Sequence, residues 1–147
     1  MLEINQAGLS WVTILKKANK FRVAYDGFDI DIVAGYDDAQ IERLLGDVGI
    51  IRNRLKIKAA VENARRIKDL QNLHGSFKNW LDAHKNLKRD EWTLLFKKTF
   101  VFTGGEIVNE FLMSAGYLQG AHTEECPTYA KIASLNPAWI LSRAVSD

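Results

Sequence analysis

Three cationic side chains at alternate positions, Arg52, Arg54 and Lys56, have a spacing that suits the binding of phosphate. They follow a segment in which Gly46 and Gly49 lie three residues apart, and glycine permits a tight connection where side chains would clash. A helix that begins after such a connection has backbone N–H groups without intrahelical acceptors and a favourable dipole, so it can receive a phosphate oxygen. The pattern predicts a helix-hairpin-helix that holds a nucleic-acid backbone without reading its sequence.

An ordinary corner between two helices, with its basic face in solvent, would produce the same pattern. The net charge of the chain is only +2, which by itself does not identify a nucleic-acid binder. The charge is unevenly distributed, however, because residues 52–68 carry seven Lys and Arg side chains against one acid, Glu62. We call these residues the basic stripe. It strengthens the DNA-backbone interpretation but leaves the solvated corner equally open.

The pair His122 and Cys126 is the second candidate for site chemistry. Structural zinc takes four nitrogen or sulfur ligands, and a lone His-x-x-x-Cys pair supplies two. Cys126 is the single cysteine, which rules out an internal disulfide and fits a reducing cytoplasm. The chain shows neither a signal-like start nor an apolar run of membrane-spanning length, so we expect a cytoplasmic protein without a membrane partner.

The elements that must position these residues are predicted to be helices, since apolar residues recur with helical spacing and no alternating strand pattern rises above noise. We therefore expect one all-α domain over residues 1–147, with a helical tail over 127–147. The predicted helices cover 9–23, a segment capped by Asp37 and Asp38 that ends at 46–49, about 52–72, a short segment after Ser76, 89–98, a segment from Gly104-Gly105 to Gly116, and two short segments divided by Asn136-Pro137.

The start of the chain carries the most specific motif. The run Leu2-Glu3-Ile4-Asn5-Gln6-Ala7-Gly8-Leu9-Ser10-Trp11 resembles the signature Leu-Glu-x-x-Gln-Ala-Gly-Leu-Ser-Trp of the DNA-3-methyladenine glycosylase type I family. Further similar stretches lie at 14–17, 49–57, 63–65 and 100–104. The resemblance extends from about Glu3 to Cys126, and several motifs in the same order make chance agreement implausible.

The resemblance implies a helix-hairpin-helix glycosylase that hydrolyses the N-glycosidic bond of 3-methyladenine in alkylated double-stranded DNA, without a cofactor for the chemistry. By residue type Glu3 would be a solvated charge and Trp11 a core residue. The resemblance instead makes Glu3 the catalytic, base-binding acceptor and Trp11 the ring that stacks on the flipped base. Gly8 and Leu9 would approach the gap in the duplex. The DNA-backbone anchor would comprise Gly46, Gly49, Arg52, Arg54 and Lys56.

The resemblance also implies a structural zinc ion, held in the family by His122 and Cys126 together with a Cys and a His from an aromatic-rich amino-terminal segment. This sequence begins after that segment, so we expect half of a zinc site here. Lys56 and Lys58 follow the hairpin but are expected to contact phosphate, and Asp69 lacks the Gly-Pro context of the superfamily's catalytic aspartate. The enzyme is therefore expected to be monofunctional.

Two alternatives remain open at this stage. The chain could be a non-catalytic helix-hairpin-helix module that binds DNA but has lost a competent base pocket. A helical interaction protein with no DNA role is disfavoured by the clustered motifs.

Overall fold

The computed structural model of the chain describes residues 2–6 and 8–141, with only the backbone of Gln6. Every regular element within these residues is helical, which confirms the predicted all-α class. In chain order the elements are α1 (Leu2–Gln6), α2 (Trp11–Ala24), a 3₁₀ turn (Asp26–Phe28), α3 (Ile30–Ala34), α4 (Asp38–Gly46), α5 (Arg54–His74), α6 (Phe77–Ala83), α7 (Arg89–Thr99), α8 (Gly105–Ser114), α9 (Pro127–Ala133) and α10 (Ala138–Leu141).

Helix α5 runs through the middle of the molecule and belongs to two hydrophobic clusters. Its first half contributes Ile57 and Val61 to a cluster formed with α2, α3 and α4. Its second half places Ile67 and Leu70 against a cluster formed by α6, α7 and α8 around the fully buried Trp92. A helix of this length spans about 30 Å. It is therefore long enough to carry residues of both clusters on one rigid element.

The ends of α5 follow from local sequence. The side chain of Asn53 accepts a hydrogen bond from the Lys56 backbone N–H and caps the first turn, while Gly75 ends the helix with a φ of 79°. The helix thus begins two residues later than predicted and also ends two residues later. Alanines on its buried face, such as Ala60 and Ala64, leave room for other helices to approach closely.

Short elements at the start of the chain were not predicted. Helices α1 and α3 have five residues each, too few for a hydrophobic period to be recognised. Helix α3 forms because Asp29 caps it, its side chain accepting from the Ile32 N–H. The helices predicted over 9–23, 89–98 and 104–116 are confirmed as α2, α7 and α8, within a few residues at each end.

The tail packs against its own domain. Helices α9 and α10 are divided at Asn136-Pro137 as predicted. Trp139 is buried, and its backbone N–H donates to the Gly116 carbonyl at 3.3 Å. Its ring centroid lies 5.9 Å from that of Tyr129. The predicted continuation of the tail over 142–147 lies outside the described residues. None of the helices within 2–6 and 8–141 combines the length and apolarity needed to span a bilayer.

The connection between α4 and α5, residues 47–53, forms the predicted hairpin, although it is longer than a tight turn. The Gly49 N–H donates to the Asp47 carboxylate at 2.7 Å. The Lys17 ammonium of α2 donates to the carbonyls of Val48 at 3.4 Å and Gly49 at 3.1 Å. Two side chains, one within the hairpin and one from α2, therefore determine its shape.

The two hairpin glycines differ in what they require. A Cβ at Gly49 would lie 2.9 Å from Asp47 Oδ1 and 3.1 Å from Lys20 Cδ, whereas a Cβ at Gly46 would meet nothing within 4 Å. The expectation that both glycines avoid a clash is correct for Gly49 and wrong for Gly46, which is the last residue of α4 and has open space beside it.

We therefore predict that Gly49→Ala lowers the free energy of unfolding by about 1–3 kcal/mol, because the new methyl group displaces Asp47 or Lys20. The matched variant Gly46→Ala should change it by less than about 1 kcal/mol, on the stabilising side, since alanine favours the helix. Urea unfolding of both variants beside the parent chain measures the difference. Equal destabilisation by the two substitutions would contradict this account of the hairpin.

Candidate active site

A cavity of about 100 Å³ lies between α1, α5 and the helices of the second cluster. We call it the base cavity. Glu3 is the one ionisable side chain among the described residues that line it, and four phenylalanine rings make most of the wall apolar. The lining residues are Glu3, Ile4, Asn63, Ile67, Phe77, Phe96, Phe100, Thr103, Ile107, Val108 and Phe111.

The composition of this wall suits a flat, positively charged ring. A carboxylate accepts charge-assisted hydrogen bonds from the N–H groups of such a ring, and aromatic faces attract cations. The phenylalanine rings contact one another, and the ring centroid of Phe77 lies 5.9 Å from that of Phe100 and 6.2 Å from that of Phe111. The cavity therefore combines one carboxylate with several aromatic rings.

Trp11 and the turn before it lie elsewhere. Trp11 is half-buried at the start of α2 and packs against the first cluster, and it does not line the base cavity. Gly8 has a φ of 79° and is exposed, and Leu9 beside it is 37% exposed. The structure thus places Glu3, but not Trp11, in the cavity, while Gly8 and Leu9 form a surface turn. Stacking by Trp11 and approach to DNA by the turn stay predictions.

The three predicted cations of the hairpin have three different environments. Arg52 is exposed and has no ion pair within the described part of the chain. Arg54 is exposed but forms a bidentate pair with Glu42, at 2.6 and 3.1 Å, which holds the pKa of the Glu42 carboxyl below its ordinary value. Only Arg52 is therefore available to a phosphate without first giving up another partner.

Lys56 differs most from the expectation. Its side chain is 6% exposed, and its ammonium donates to the backbone carbonyl of Asn5 at 3.1 Å. Burial lowers the pKa of this amine. The prediction that Lys56 contacts phosphate conflicts with this placement, because the group is turned to the interior and occupied there. Its role in the structure is to join α5 to α1, the helix that carries Glu3.

The basic stripe is largely engaged in internal contacts. These cations are bound by other groups of the protein, so they do not form one continuous free surface for DNA. Arg65 donates to the carbonyls of Ala34 at 2.9 Å and Tyr36 at 2.8 Å, Arg66 pairs with Glu62 at 2.8 Å, and Lys68 pairs with Asp31 at 2.9 Å.

The hairpin backbone retains the donors that a phosphate needs. Lys17 occupies the Val48 and Gly49 carbonyls, but the N–H groups of Val48, Ile51 and Arg52 have no acceptor within residues 2–6 and 8–141. An anion at this tip would meet several N–H donors and the Arg52 guanidinium. The predicted phosphate seat thus consists of backbone N–H groups and one or two arginines.

His122 and Cys126 lie together, with Nδ1 3.4 Å from Sγ. The described residues hold no group of three or more His, Cys, Asp or Glu side chains arranged to bind a metal ion. The pair therefore provides two of the four donors of a structural zinc site and does not by itself fit that ion. We assign no role to zinc in the chemistry below.

Several cavity residues were missed as functional residues by sequence reasoning. Phe77, Phe96 and Phe111 have the spacing of ordinary core positions on their helices, so nothing local distinguishes them. Asn63 and Phe100 fall within stretches that resembled the family, at 63–65 and 100–104, and those similarities were the available signal.

Comparison with known proteins decides the family. The family model described as methyladenine glycosylase matches residues 1–94. The chain belongs to the methyladenine glycosylase family. It is 30% identical to the DNA-3-methyladenine glycosylase of Haemophilus influenzae, in a match that covers 86% of this chain and 78% of that protein.

Two further comparisons place this family member among its relatives. It is 50% identical over 64 residues to DNA-3-methyladenine glycosylase 1 of Escherichia coli, covering 44% of this chain but only 34% of that protein. The structure of Staphylococcus aureus 3-methyladenine DNA glycosylase I, solved for its recognition of 3-methyladenine, superposes with a TM-score of 0.77 at 32% identity. That match covers 86% of this chain and 77% of the other.

The placement of Lys56 generates a stability prediction. Lys56→Met keeps the apolar stem but leaves the Asn5 carbonyl without its charged donor, so we expect a loss of about 1–3 kcal/mol in the free energy of unfolding. The matched variant Lys58→Met, at an exposed position of the same helix, should change it by less than about 0.5 kcal/mol. Urea unfolding distinguishes them, and a Lys56 variant as stable as the Lys58 variant would rule out the structural role.

Proposed function

We propose that this chain releases 3-methyladenine from alkylated double-stranded DNA by hydrolysing the N-glycosidic bond. The observation that carries the proposal is Glu3, the one carboxylate among the described residues lining a cavity otherwise walled mainly by aromatic and aliphatic side chains. The relatives from Haemophilus influenzae and Escherichia coli are named as 3-methyladenine DNA glycosylases, which supports the same substrate.

Base flipping is required because the glycosidic bond of a stacked, paired base cannot be reached inside the duplex. Extrusion costs a few kcal/mol, and less when the base is already damaged. Methylation at N3 places a positive charge on adenine and makes it a good leaving group. A cavity with one carboxylate and several ring faces favours that cation over neutral adenine. Selection and positioning of the base then supply most of the catalysis, with water as the nucleophile.

The proposed contacts to DNA come from two surface segments. The hairpin tip would hold a phosphate through the N–H groups of Val48, Ile51 and Arg52 and through the Arg52 side chain. The exposed turn at Gly8 and Leu9 would approach the gap left by the flipped base, and Trp11 follows it directly. The Lys56–Asn5 hydrogen bond supports this arrangement, since it joins the helix after the hairpin to the helix that ends just before the turn.

We further propose that the chain forms one catalytic domain, that it acts in the cytoplasm, and that it is a monofunctional glycosylase. Lys56 lies closest after the hairpin, but it is buried and already donates to Asn5. A lysine in this position is poorly placed to attack a sugar carbon, so no covalent intermediate is invoked.

Release of free 3-methyladenine from methylated duplex DNA tests the proposal directly. Glu3→Gln should slow release by about 10- to 100-fold, because a neutral amide replaces a charge-assisted acceptor. The matched variant Asp69→Asn, at an exposed position of α5, should leave the rate unchanged. Tight duplex binding by the parent chain without any base release would instead favour a DNA-binding module that lacks catalysis.

Salt dependence of duplex binding tests the hairpin. Arg52→Ala should reduce the slope of log affinity against log salt concentration by about 0.9, because one phosphate contact is lost. Arg54→Ala should reduce it less, since Glu42 already neutralises that guanidinium. Lys131→Ala, an exposed position on α9, serves as the control, and a slope that changes equally in all three variants would argue against a specific anchor at the hairpin.

A further inference from the structure

Asn63 makes an unusual pair of contacts across the molecule. It lies on α5, is 8% exposed, and lines the base cavity. Its Nδ2 donates to the Val101 carbonyl at 2.9 Å, and its Oδ1 accepts from the Val101 N–H at 2.9 Å. Both the N–H and the carbonyl of Val101 are therefore satisfied by one side-chain amide, in the way that a neighbouring strand would satisfy them in a β-sheet.

The segment that Asn63 holds forms part of the cavity wall. Val101 lies in the connection between α7 and α8, and two residues of this connection, Phe100 directly before it and Thr103 two positions after it, line the cavity. Phe102 adopts a φ of 57°, in the left-handed region that an aromatic residue rarely enters. Such a conformation persists only where surrounding contacts hold it. The Asn63 amide is hydrogen-bonded to the backbone of Val101, the residue directly before Phe102.

Two other contacts hold the same connection. Arg66, one turn after Asn63 on α5, donates to the Thr99 carbonyl at 3.1 Å, and the Thr103 hydroxyl donates to the Phe96 carbonyl at 3.2 Å. These bonds act at the two ends of the connection, whereas Asn63 acts at its middle. Loss of the Asn63 amide would leave the Val101 N–H and carbonyl to find other partners, and the left-handed Phe102 would be free to relax.

We propose that Asn63 is a positioning residue for base release: by binding both backbone groups of Val101 it holds Phe100 and Thr103 in the wall that they share with Glu3. This rests on the proposed function, because the effect is exerted on the flipped base. The residue type matters, since an amide alone offers a donor and an acceptor side by side at this reach. An aspartate would keep the acceptor, repel the Val101 carbonyl and place a second carboxylate in the cavity.

The test compares Asn63→Ala and Asn63→Asp with Asn79→Ala. Asn79 is a matched control, because its amide also donates to a backbone carbonyl, that of His74 at 2.9 Å, but it is exposed and does not line the cavity. Single-turnover release of 3-methyladenine and its inhibition by the free base should each weaken by about tenfold or more in both Asn63 variants, since small displacements of positioning groups cost rates of this order. Duplex affinity should stay within about twofold of the parent.

Amide hydrogen exchange at Val101 tests the positioning role of Asn63 separately from the proposed glycosylase function. Exchange at the Val101 amide should accelerate in Asn63→Ala, which removes the acceptor of its N–H, and not in Asn79→Ala, whether or not the chain is catalytic. If the parent chain releases no base, the proposed function fails while exchange still tests the Asn63–Val101 contact. Aspartate has nearly the size of asparagine, so Asn63→Asp provides the test of base release if Asn63→Ala does not fold. Parent-like release and base inhibition in Asn63→Asp, or unchanged exchange at Val101 in Asn63→Ala, would overturn the inference.

Discussion

The buried ammonium group of Lys56 links helix α5, which follows the hairpin, to helix α1, which carries Glu3. Lys56 donates to the carbonyl of Asn5 and so holds the five-residue helix α1 on the first turn of α5. A helix as short as α1 has little stability of its own, because nucleation fixes several residues before hydrogen bonds compensate. The position of Glu3, on this same helix, therefore depends on tertiary contacts such as that of Lys56.

Helix α5 performs several of these tasks along its length. Near its start it holds α1 through Lys56, in the middle it holds the α7–α8 connection through Asn63 and Arg66, and it also holds the end of α3 through Arg65. Each contact joins a side chain of this long helix to a backbone carbonyl of a shorter helix or of the α7–α8 connection. The cavity wall is thus assembled from short segments that one long helix positions.

Internal contacts engage most of the seven cations of the basic stripe, which lie in and after the hairpin that we propose as the DNA anchor. Most cations of the basic stripe stabilise the fold, and the predicted contact with phosphate is left to the hairpin tip and Arg52. In the proposed function, electrostatic attraction by a broad basic surface is therefore a smaller part of DNA recognition than the stripe suggested. In the same proposal, the cavity, with one carboxylate among aromatic rings, selects the cationic base.

What the sequence determined by itself was local. Hydrophobic periodicity and cap residues predicted the all-α class, the long helix and the hairpin, and the motif from Leu2 to Trp11 indicated the family and Glu3. These features depend on residues only a few positions apart, so they can be read without coordinates. The short helices α1 and α3 escaped because their signal is too brief.

The tertiary structure alone decided which side chains are free and which are occupied. Lys56 and Asn5 are 51 residues apart, and Asn63 and Val101 are 38 apart. No local pattern distinguishes a lysine that faces solvent from one that donates to a distant carbonyl, or a core phenylalanine from one that lines a cavity. The buried state of Lys56, the wall shared by Asn63 and Phe100, and the location of Trp11 outside that wall all depend on how distant segments pack, which periodicity does not encode.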